Sequence, residues 1–503
     1  MIRTLDRLLD HITIYRLVLY HLIGLFGAAL VLGFFKAVPH DPVALAFSML
    51  LILAACWVTN RLFAAVFEAP ANVESIYITA LILALIVDPV ALTDWRRIAT
   101  LAFIAFWAMA SKFVFAVGRR HIFNPAAFAV AISALLLNQP ATWWVGGNLA
   151  LLPLVLIGGL LVLRKIQRFG LAGAYIGAYL VTVAATTLPA QWGMAFRETL
   201  LSSAIFFFAF VMLTEPLTAP MTRWRRLAFG ALVGFFSAPN VHVGSLYFTP
   251  ETALLIGNLF AYAVSPQRRL QLTLERIERI GADAYDFIFR PDRRLAFQPG
   301  QYTEWTLGLP KADNRGNRRY FTLASSPTEE HIHLGVKFCP EPSAFKRALS
   351  GMGPGDSVFI APTAGDFTLP ADPNAKLAFL AGGIGITPFR SMLQYLLDRG
   401  EARPIVVLYG NERSEDIAYR EVLDAAAAGL GIKTTYAVAR DARKGQYPGF
   451  IDERLIRHAI PDYAERTFFV SGPQAMVKAI RHTLVHMGVR RSRIKVDFFP
   501  GFA

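Results

Sequence analysis

Three observations predict a polytopic α-helical membrane domain of about ten helices, then an antiparallel β-barrel, then an α/β domain on a parallel sheet. Up to about residue 265 the chain consists of long apolar runs separated by short basic loops. From Gln267-Arg268-Arg269-Leu270-Gln271-Leu272-Thr273-Leu274 it changes to short, alternating, charged segments punctuated by Gly and Pro, the pattern of small antiparallel strands. From Lys376 apolar strands alternate with helical stretches, which implies crossovers and hence parallel pairing. The expected divisions are 1–265, 266–370 and 371–503.

Composition narrows the class. Of 503 residues, 54% are hydrophobic and the mean hydropathy is +0.42, too apolar for an ordinary soluble protein and too long for one domain. The net charge of +14 does not signal nucleic acid, because Arg and Lys collect in short loops between apolar runs, as in cytoplasmic membrane loops. With Cys56 and Cys339 as its only cysteines, the chain can build neither a disulfide framework nor a cysteine-ligated zinc or iron–sulfur site, and no metal site is expected. Arg3 and Arg7, followed by an apolar run too long for a signal-peptide core, read as a retained membrane anchor.

The apolar runs fall near 14–35, 43–59, 75–93, 98–117, 124–138, 149–163, 170–190, 199–214, 227–238 and 252–265. Several are shorter than the roughly 20 residues needed to cross the hydrocarbon core, which predicts tilted or broken helices with Pro125, Pro216 and Pro239 as break points. Arg61, Arg119-Arg120, Arg164-Lys165 with Arg168, and Arg223 with Arg225-Arg226 fall in alternate loops, while the loops around 139–148 and 239–250 have no Lys or Arg. The positive-inside rule then places both termini and the soluble half in the cytoplasm of a multi-pass inner-membrane protein, with Arg96-Arg97 the one dissenting loop. Asn72, Glu74, Ser75, Thr79, Lys112, Asn124, Thr214 and Glu215 stand at or near span ends. Ionisable groups at such depth usually face a cavity or a partner, and snorkelling or helix capping accounts for about half of these residues.

The phrases carry more than the single residues. Ser75-Ile76-Tyr77-Ile78-Thr79-Ala80, then Lys112, then Phe123-Asn124-Pro125-Ala126-Ala127, then Met212-Leu213-Thr214-Glu215-Pro216-Leu217-Thr218-Ala219-Pro220 resemble, in order and spacing, the membrane subunit shared by Rnf complexes (RnfD) and sodium-pumping NADH:quinone reductases (NqrB). The resemblance covers roughly 60–265. It implies an FMN esterified to a Thr within an Asp-x-x-Ser-Gly-Ala-Thr phrase. The nearest stretch here, Val183-Ala184-Ala185-Thr186-Thr187-Leu188-Pro189, lacks the acid, the Ser and the Gly, so covalent attachment is not expected and a non-covalent FMN stays open.

In the soluble half, strands are expected at 272–280, 285–290, 302–307, 331–338 and 357–361, then strands and helices at 377–381, 388–399, 405–409, 418–427, 433–438, 467–470 and 473–487. Within Arg319-Tyr320-Phe321-Thr322-Leu323-Ala324-Ser325-Ser326-Pro327, a strand turns Arg319 and Phe321 to one side and Thr322 to the other. A flavin diphosphate needs a cation for its pyrophosphate, an aromatic wall for its ring and a hydroxyl near the reactive nitrogen, and these three residues supply them. Ser343 opens a helical run, where it serves either as a phosphate ligand or as an ordinary cap. The strand at 377–381 runs into Gly382-Gly383-Ile384-Gly385-Ile386-Thr387-Pro388, where Gly383, Gly385, Thr387 and Pro388 form a strand–loop–helix cradle for a pyrophosphate. Ser471-Gly472-Pro473-Gln474-Ala475-Met476 forms a second such turn.

Together with Gly300-Gln301-Tyr302, Gly365-Asp366-Phe367 and Tyr409-Gly410-Asn411, these phrases resemble the ferredoxin–NADP reductase superfamily over essentially all of 267–503. The resemblance implies an FAD-binding barrel and an NAD(P)-binding α/β domain. Arg319, Phe321, Thr322 and Ser343 fall on the FAD side, Gly472, Pro473 and Met476 on the nicotinamide side, and Thr322 and Ser471 at the hydride-transfer step. Phe321 stands where a Tyr is usual, and Ser471 where many members carry Cys. Phe498, Phe499 or Phe502 would cover the flavin ring or serve as core aromatics.

The expected activity is electron transfer from NADH or NADPH through FAD to a membrane-associated or far-side acceptor, a quinone or redox protein, with membrane lipid as surroundings. A hydrocarbon core of about 30 Å is too thick for one efficient electron hop, so a carrier is needed. Haem is disfavoured because His11, His21, His40, His121 and His242 show no paired spacing, and a flavin or quinone carrier is left. Two alternatives stand: a merely anchored reductase for a soluble acceptor, and an ion or solute transporter coupled to the redox domain.

Overall fold

The computed structural model describes residues 9, 12–67, 73–117, 120–220, 222–244, 246–264, 269–309 and 317–497, apart from the side chains of Val73, Arg120 and Leu246. The chain divides into two compact units, Met1–Arg268 and Arg269–Ala503.

The first unit is helical: α1 Ile14–Phe34, α2 Pro42–Val66, α3 Val73–Ile86, α4 Trp95–Val114, α5 Pro125–Leu137, α6 Leu152–Ile166, α7 Phe169–Thr186, α8 Trp192–Ser202, the segment Ile205–Met212, α9 Arg223–Ser237 and α10 Pro250–Val264. The starts follow capping chemistry. Asp41 accepts from Ala44 N at 2.9 Å and Asn124 from Ala127 N at 3.0 Å, each followed by a proline whose missing N–H is not needed in the first turn. Among the described residues, α1, α2, α4 and α7 are long and apolar enough to cross a membrane, and a fifth span is the bent pair Pro189–Ser202 and Ile205–Met212. Between 28% and 39% of the most apolar window in those four helices is buried, so most of each apolar surface faces outward.

The run at 199–214 is therefore not one helix. It breaks at Ser203-Ala204 with a 58° bend, where the loop after α5 presses in: a Cβ on Gly146 would lie 2.4 Å from Ala204 Cα. The three expected proline breaks sit outside helix interiors. Pro125 is the first residue of α5, and Pro216 and Pro239 follow helical segments ending at Met212 and Ser237. The polar residues flagged at span ends have partners. Arg16 pairs with Glu74 at 2.8 Å, Lys112 Nζ donates to Ser75 Oγ and Thr79 Oγ1 at 3.0 and 3.1 Å, and Asn124 Nδ2 donates to Glu215 Oε2 at 2.9 Å. Thr214 Oγ1 donates back to Phe210 O at 2.7 Å, and Asn72 lies outside the described residues.

The second unit holds two sheets. The first has strands β1 Leu270–Arg279, β2 Ala284–Pro291, β3 Tyr302–Thr306, β4 Arg318–Thr322, β5 Ile332–Lys337 and β6 Ser357–Ile360, in the antiparallel order β4-β3-β6-β1-β2-β5. It curls toward closure, since Ala324, just past edge strand β4, donates to His333 O on the opposite edge strand β5 at 3.0 Å.

The second sheet has β7 Leu377–Gly382, β8 Ile405–Asn411, β9 Lys433–Val438, β10 Tyr447–Pro448, β11 Thr467–Ser471 and β12 Ile494–Asp497, all parallel, in the order β10-β9-β8-β7-β11-β12. Helices α12 Thr387–Arg399, α13 Arg420–Leu430, α14 Glu453–Ala459 and α15 Gln474–His486 cover it, while α11 Ala344–Ser350 belongs to the barrel region. Every residue of β7 is buried because both its faces are covered. Leu377, Phe379 and Ala381 join the core of α12 and α13, and Ala378 and Leu380 join that of α14 and α15. Burying one such large side chain stabilises by about 1.5–3 kcal/mol, so a polar residue at Phe379 would unseat the strand that carries the glycine loop. β10, α14 and β12 are short elements with no expected counterpart in the sequence pattern.

Candidate functional site

The strand order reverses beside β7, and an open parallel sheet leaves a crevice there, outside the carboxyl ends of its strands. Both expected nucleotide loops end at this crevice. β7 runs through the turn Gly383–Ile386 into α12 with Pro388 in its first turn, and β11 runs through Gly472-Pro473 into α15. The loops touch: a Cβ on Gly385 would lie 2.5 Å from Gly472 Cα, so this crossing requires glycine. Gly383 has φ +50° and nothing within 4 Å of its absent Cβ, which leaves that face of the loop open to a phosphate group at a helix start. Met476 packs its sulfur against Gly382, Pro473 is the cap residue of α15, and the Thr387 hydroxyl closes the glycine turn on Ile384 O at 3.2 Å.

Thr322 and Ser471, 149 positions apart by numbering, meet on a residue that the sequence did not single out. Both hydroxyls donate to Asp497 Oδ2 at 3.3 Å. The register of β11 against β12 sets Ser471 directly opposite Asp497, and the end of β4 delivers Thr322. Burial pushes the Asp497 carboxyl up to about 7, while the two hydroxyl donors pull the other way without cancelling the loss of solvent. A carboxyl that changes charge near neutral pH can hold or release a proton beside these two hydroxyls. The one sequence signal for it was the short alternating stretch Ile494-Lys495-Val496-Asp497, too brief to stand out beside the aromatic run that follows.

Arg319 and Phe321 share a side of β4, as expected. Both pack on Phe345 of α11, Phe321 with ring centroids 5.8 Å apart and the Arg319 guanidinium 5.3 Å from the Phe345 ring. Ser343 caps α11 by accepting from Lys346 N at 3.4 Å. Phe345, buried and absent from the expected site residues, links the Arg319–Phe321 strand to the Ser343 cap. Phe502, with Phe498 and Phe499, lies outside the described residues.

The membrane unit holds a cavity of about 410 Å³ whose aromatic lining includes Trp143, Trp144, Tyr175, Tyr179 and Phe208. Phe208 opens the π-helical turn Phe208–Met212 and stacks on Tyr175 at 5.1 Å, with Trp143 edge-on at 5.6 Å. Trp143 Nε1 donates to Glu251 Oε2 at 3.1 Å, which fixes that wall. The Thr186 hydroxyl is turned back on Thr182 O at 2.9 Å.

Comparison with known proteins agrees with both halves. Residues 379–482 match the Oxidoreductase NAD-binding domain, and residues 143–267 match the NQR2, RnfD, RnfE family. The chain is similar to a flavohemoprotein of Bacillus cereus, 27% identical over 216 residues, 41% of this chain and 53% of that protein. It is also similar to the glycine betaine monooxygenase reductase subunit of Pseudomonas aeruginosa, 25% identical over 224 residues, 43% of this chain and 60% of that protein. The chain thus spans between about half and three fifths of the curated relatives it matches first. Among solved structures, it covers 98% of the flavohem-like FAD/NAD binding domain of nitric oxide dioxygenase from Vibrio cholerae with 46% of its own length, at 19% identity and a TM-score of 0.42. It covers 96% of the cytochrome b5 reductase domain of Ulva prolifera nitrate reductase with 45% of its length, at 24% identity and a TM-score of 0.41. The chain is thus similar to an oxidoreductase NAD-binding domain over 379–482, in a unit separate from its apolar helices. Over 143–267 the same chain is similar to the NQR2, RnfD, RnfE family.

Proposed function

We propose that this chain is a membrane-bound FAD-dependent oxidoreductase that passes electrons from NAD(P)H through FAD to a membrane-associated or far-side acceptor by a flavin or quinone route. The observation that carries the reading is the convergence of Thr322 and Ser471 on Asp497 beside two touching glycine loops at the sheet's reversal point. The residues fit the cofactors: the open face at Gly383 admits a nucleotide phosphate, and Arg319 and Phe321 share one side of β4 beside the Ser343 cap. In this reading residues 1–265 are the membrane domain, 266–370 the FAD domain and 371–503 the NAD(P) domain.

Bound FAD would take a hydride from the nicotinamide and release electrons onward. Arg319 balances pyrophosphate charge and Ser343 adds a donor. Phe321 gives the ring an apolar wall. Thr322 and Ser471 orient the two rings, and the Asp497 carboxyl, gripped at Oδ2 by their hydroxyls, holds a proton and yields it as charge moves. Gly472, Pro473 and Met476 shape the nicotinamide side, while Gly385, Thr387 and Pro388 keep the phosphate loop in place.

On the membrane side, the aromatic cavity suits a planar ring such as a flavin or a quinone, held non-covalently. The basic loops support a cytoplasmic placement of both termini in the inner membrane. The test is anaerobic reduction of the purified full-length protein by NADH and NADPH, with flavin stoichiometry and quinone reduction measured in the same sample. Reduction of FAD followed by electron delivery to a quinone is expected. One FAD per chain with no second flavin and no quinone reduction would sink the onward route.

A further inference from the structure

We propose that the nucleotide site selects NADH over NADPH and that Glu412 and Asp441 decide this. The inference rests on the reading above and names its substrate.

β8 lies beside β7 with Gly410 opposite Gly382, so the chain leaving β8 borders the same crevice edge as the glycine loop. In dinucleotide-binding sheets that position meets the adenosine ribose: an acid there suits a free diol, whereas an arginine suits a 2′-phosphate. The chain continues from Asn411 as Glu412-Arg413-Ser414-Glu415-Asp416. Asn411 ends the strand buried at that edge, where its side-chain amide can meet a ribose hydroxyl or the adenine.

The groups that would bind a 2′-phosphate are already committed. The Ser414 N–H donates to Asp441 Oδ1 at 2.7 Å, and its hydroxyl is engaged with Asp441 O at 3.0 Å and Gln446 Oε1 at 2.8 Å. Arg440 pairs with Glu412 at 2.7 Å, Arg413 with Glu415 at 3.3 Å, and Lys337 with Asp416 at 3.0 Å. The Asp441 carboxylate therefore occupies the Ser414 N–H as a built-in anion, neutral acceptors engage the hydroxyl, and a phosphate dianion arriving there meets carboxylates. A ribose diol meets the same carboxylates as a hydrogen-bond donor. Arg443 and Lys444, exposed on the loop after Asp441, are the cations through which the opposite preference would act.

The test is binding of 5′-AMP and 2′,5′-ADP to the full-length protein by calorimetry, beside flavin reduction by NADH and NADPH. Tighter 5′-AMP binding, with kcat/KM at least about tenfold higher for NADH, is the expected result. Asp441→Ala, which removes the carboxylate and frees the Ser414 N–H, should narrow that ratio by about tenfold. The exposed Glu412→Gln, which removes one charge with little change of shape, should narrow it less. Tighter 2′,5′-ADP binding, lost in Arg443→Ala/Lys444→Ala, would overturn the proposal, as would wild-type ratios in both acidic variants. Selective 5′-AMP binding with no flavin reduction by either nucleotide would instead overturn the catalytic reading and leave the selectivity standing.

Discussion

Asp497 in the soluble unit and Glu251 in the membrane unit are both almost wholly buried carboxyls, 8% and 1% exposed, and they are used differently. Asp497 ends an edge strand and gathers two hydroxyls from separate strands onto one oxygen. Glu251 stands in the first turn of α10 and accepts the Trp143 indole N–H on Oε2. The first carboxyl is itself placed among the groups proposed to act. The second acts through Trp143, by holding one wall of an aromatic cavity. Burial alone thus does not make a catalytic acid; the number and kind of donors aimed at it set its use.

The largest expected effect breaks the comparison on the soluble side. Asp497→Asn keeps the shape but cannot exchange the proton, and should slow single-turnover flavin reduction by about 100-fold, whereas Glu251→Gln should leave that step unchanged. Next, Gly385→Ala forces a Cβ to within 2.5 Å of Gly472 Cα and should cost about 1–3 kcal/mol of stability, read by thermal unfolding, together with weaker nucleotide binding. On the membrane side, Trp143→Leu removes an aromatic wall and the donor to Glu251. Quinone-dependent turnover should fall about tenfold relative to flavin reduction in the same sample, and an unchanged ratio would remove the cavity from the electron route.

The last effect is a pH slope, small per pH unit and spread over several. The Asp497 carboxyl sits near 7 in the folded protein and near 3.8 when unfolded, so between those values the folded state binds more protons. Its contribution to stability therefore falls as pH rises through that window, by at most about 1.4 kcal/mol per pH unit, and is constant below it. Asp497→Asn should flatten denaturant-measured stability between about pH 4 and 7. An unaltered slope would mean that the carboxyl is not held protonated.

Most of the soluble fold was legible because its signals are local. The alternation of β1 and β2, the glycine turn after β7 and the proline opening α12 are each written in a few consecutive residues. Arg319, Phe321 and Thr322 also took the sides of β4 that a strand requires. The membrane unit was legible as apolar runs, but the break at Ser203-Ala204 was not, because its cause is a contact with Gly146 from another loop.

An apolar half, a half with nucleotide-loop signatures, and the residue types at the glycine loops and at Thr322 and Ser471 can all be read along the chain. That those two hydroxyls share Asp497, that Phe345 sits against both Arg319 and Phe321, and that Trp143 leans on Glu251 emerges from the folded contacts. The reason is physical: turn chemistry and periodicity act over a few neighbours along the chain, whereas Ser471 meets Asp497 only through the register of two parallel strands separated by a helix.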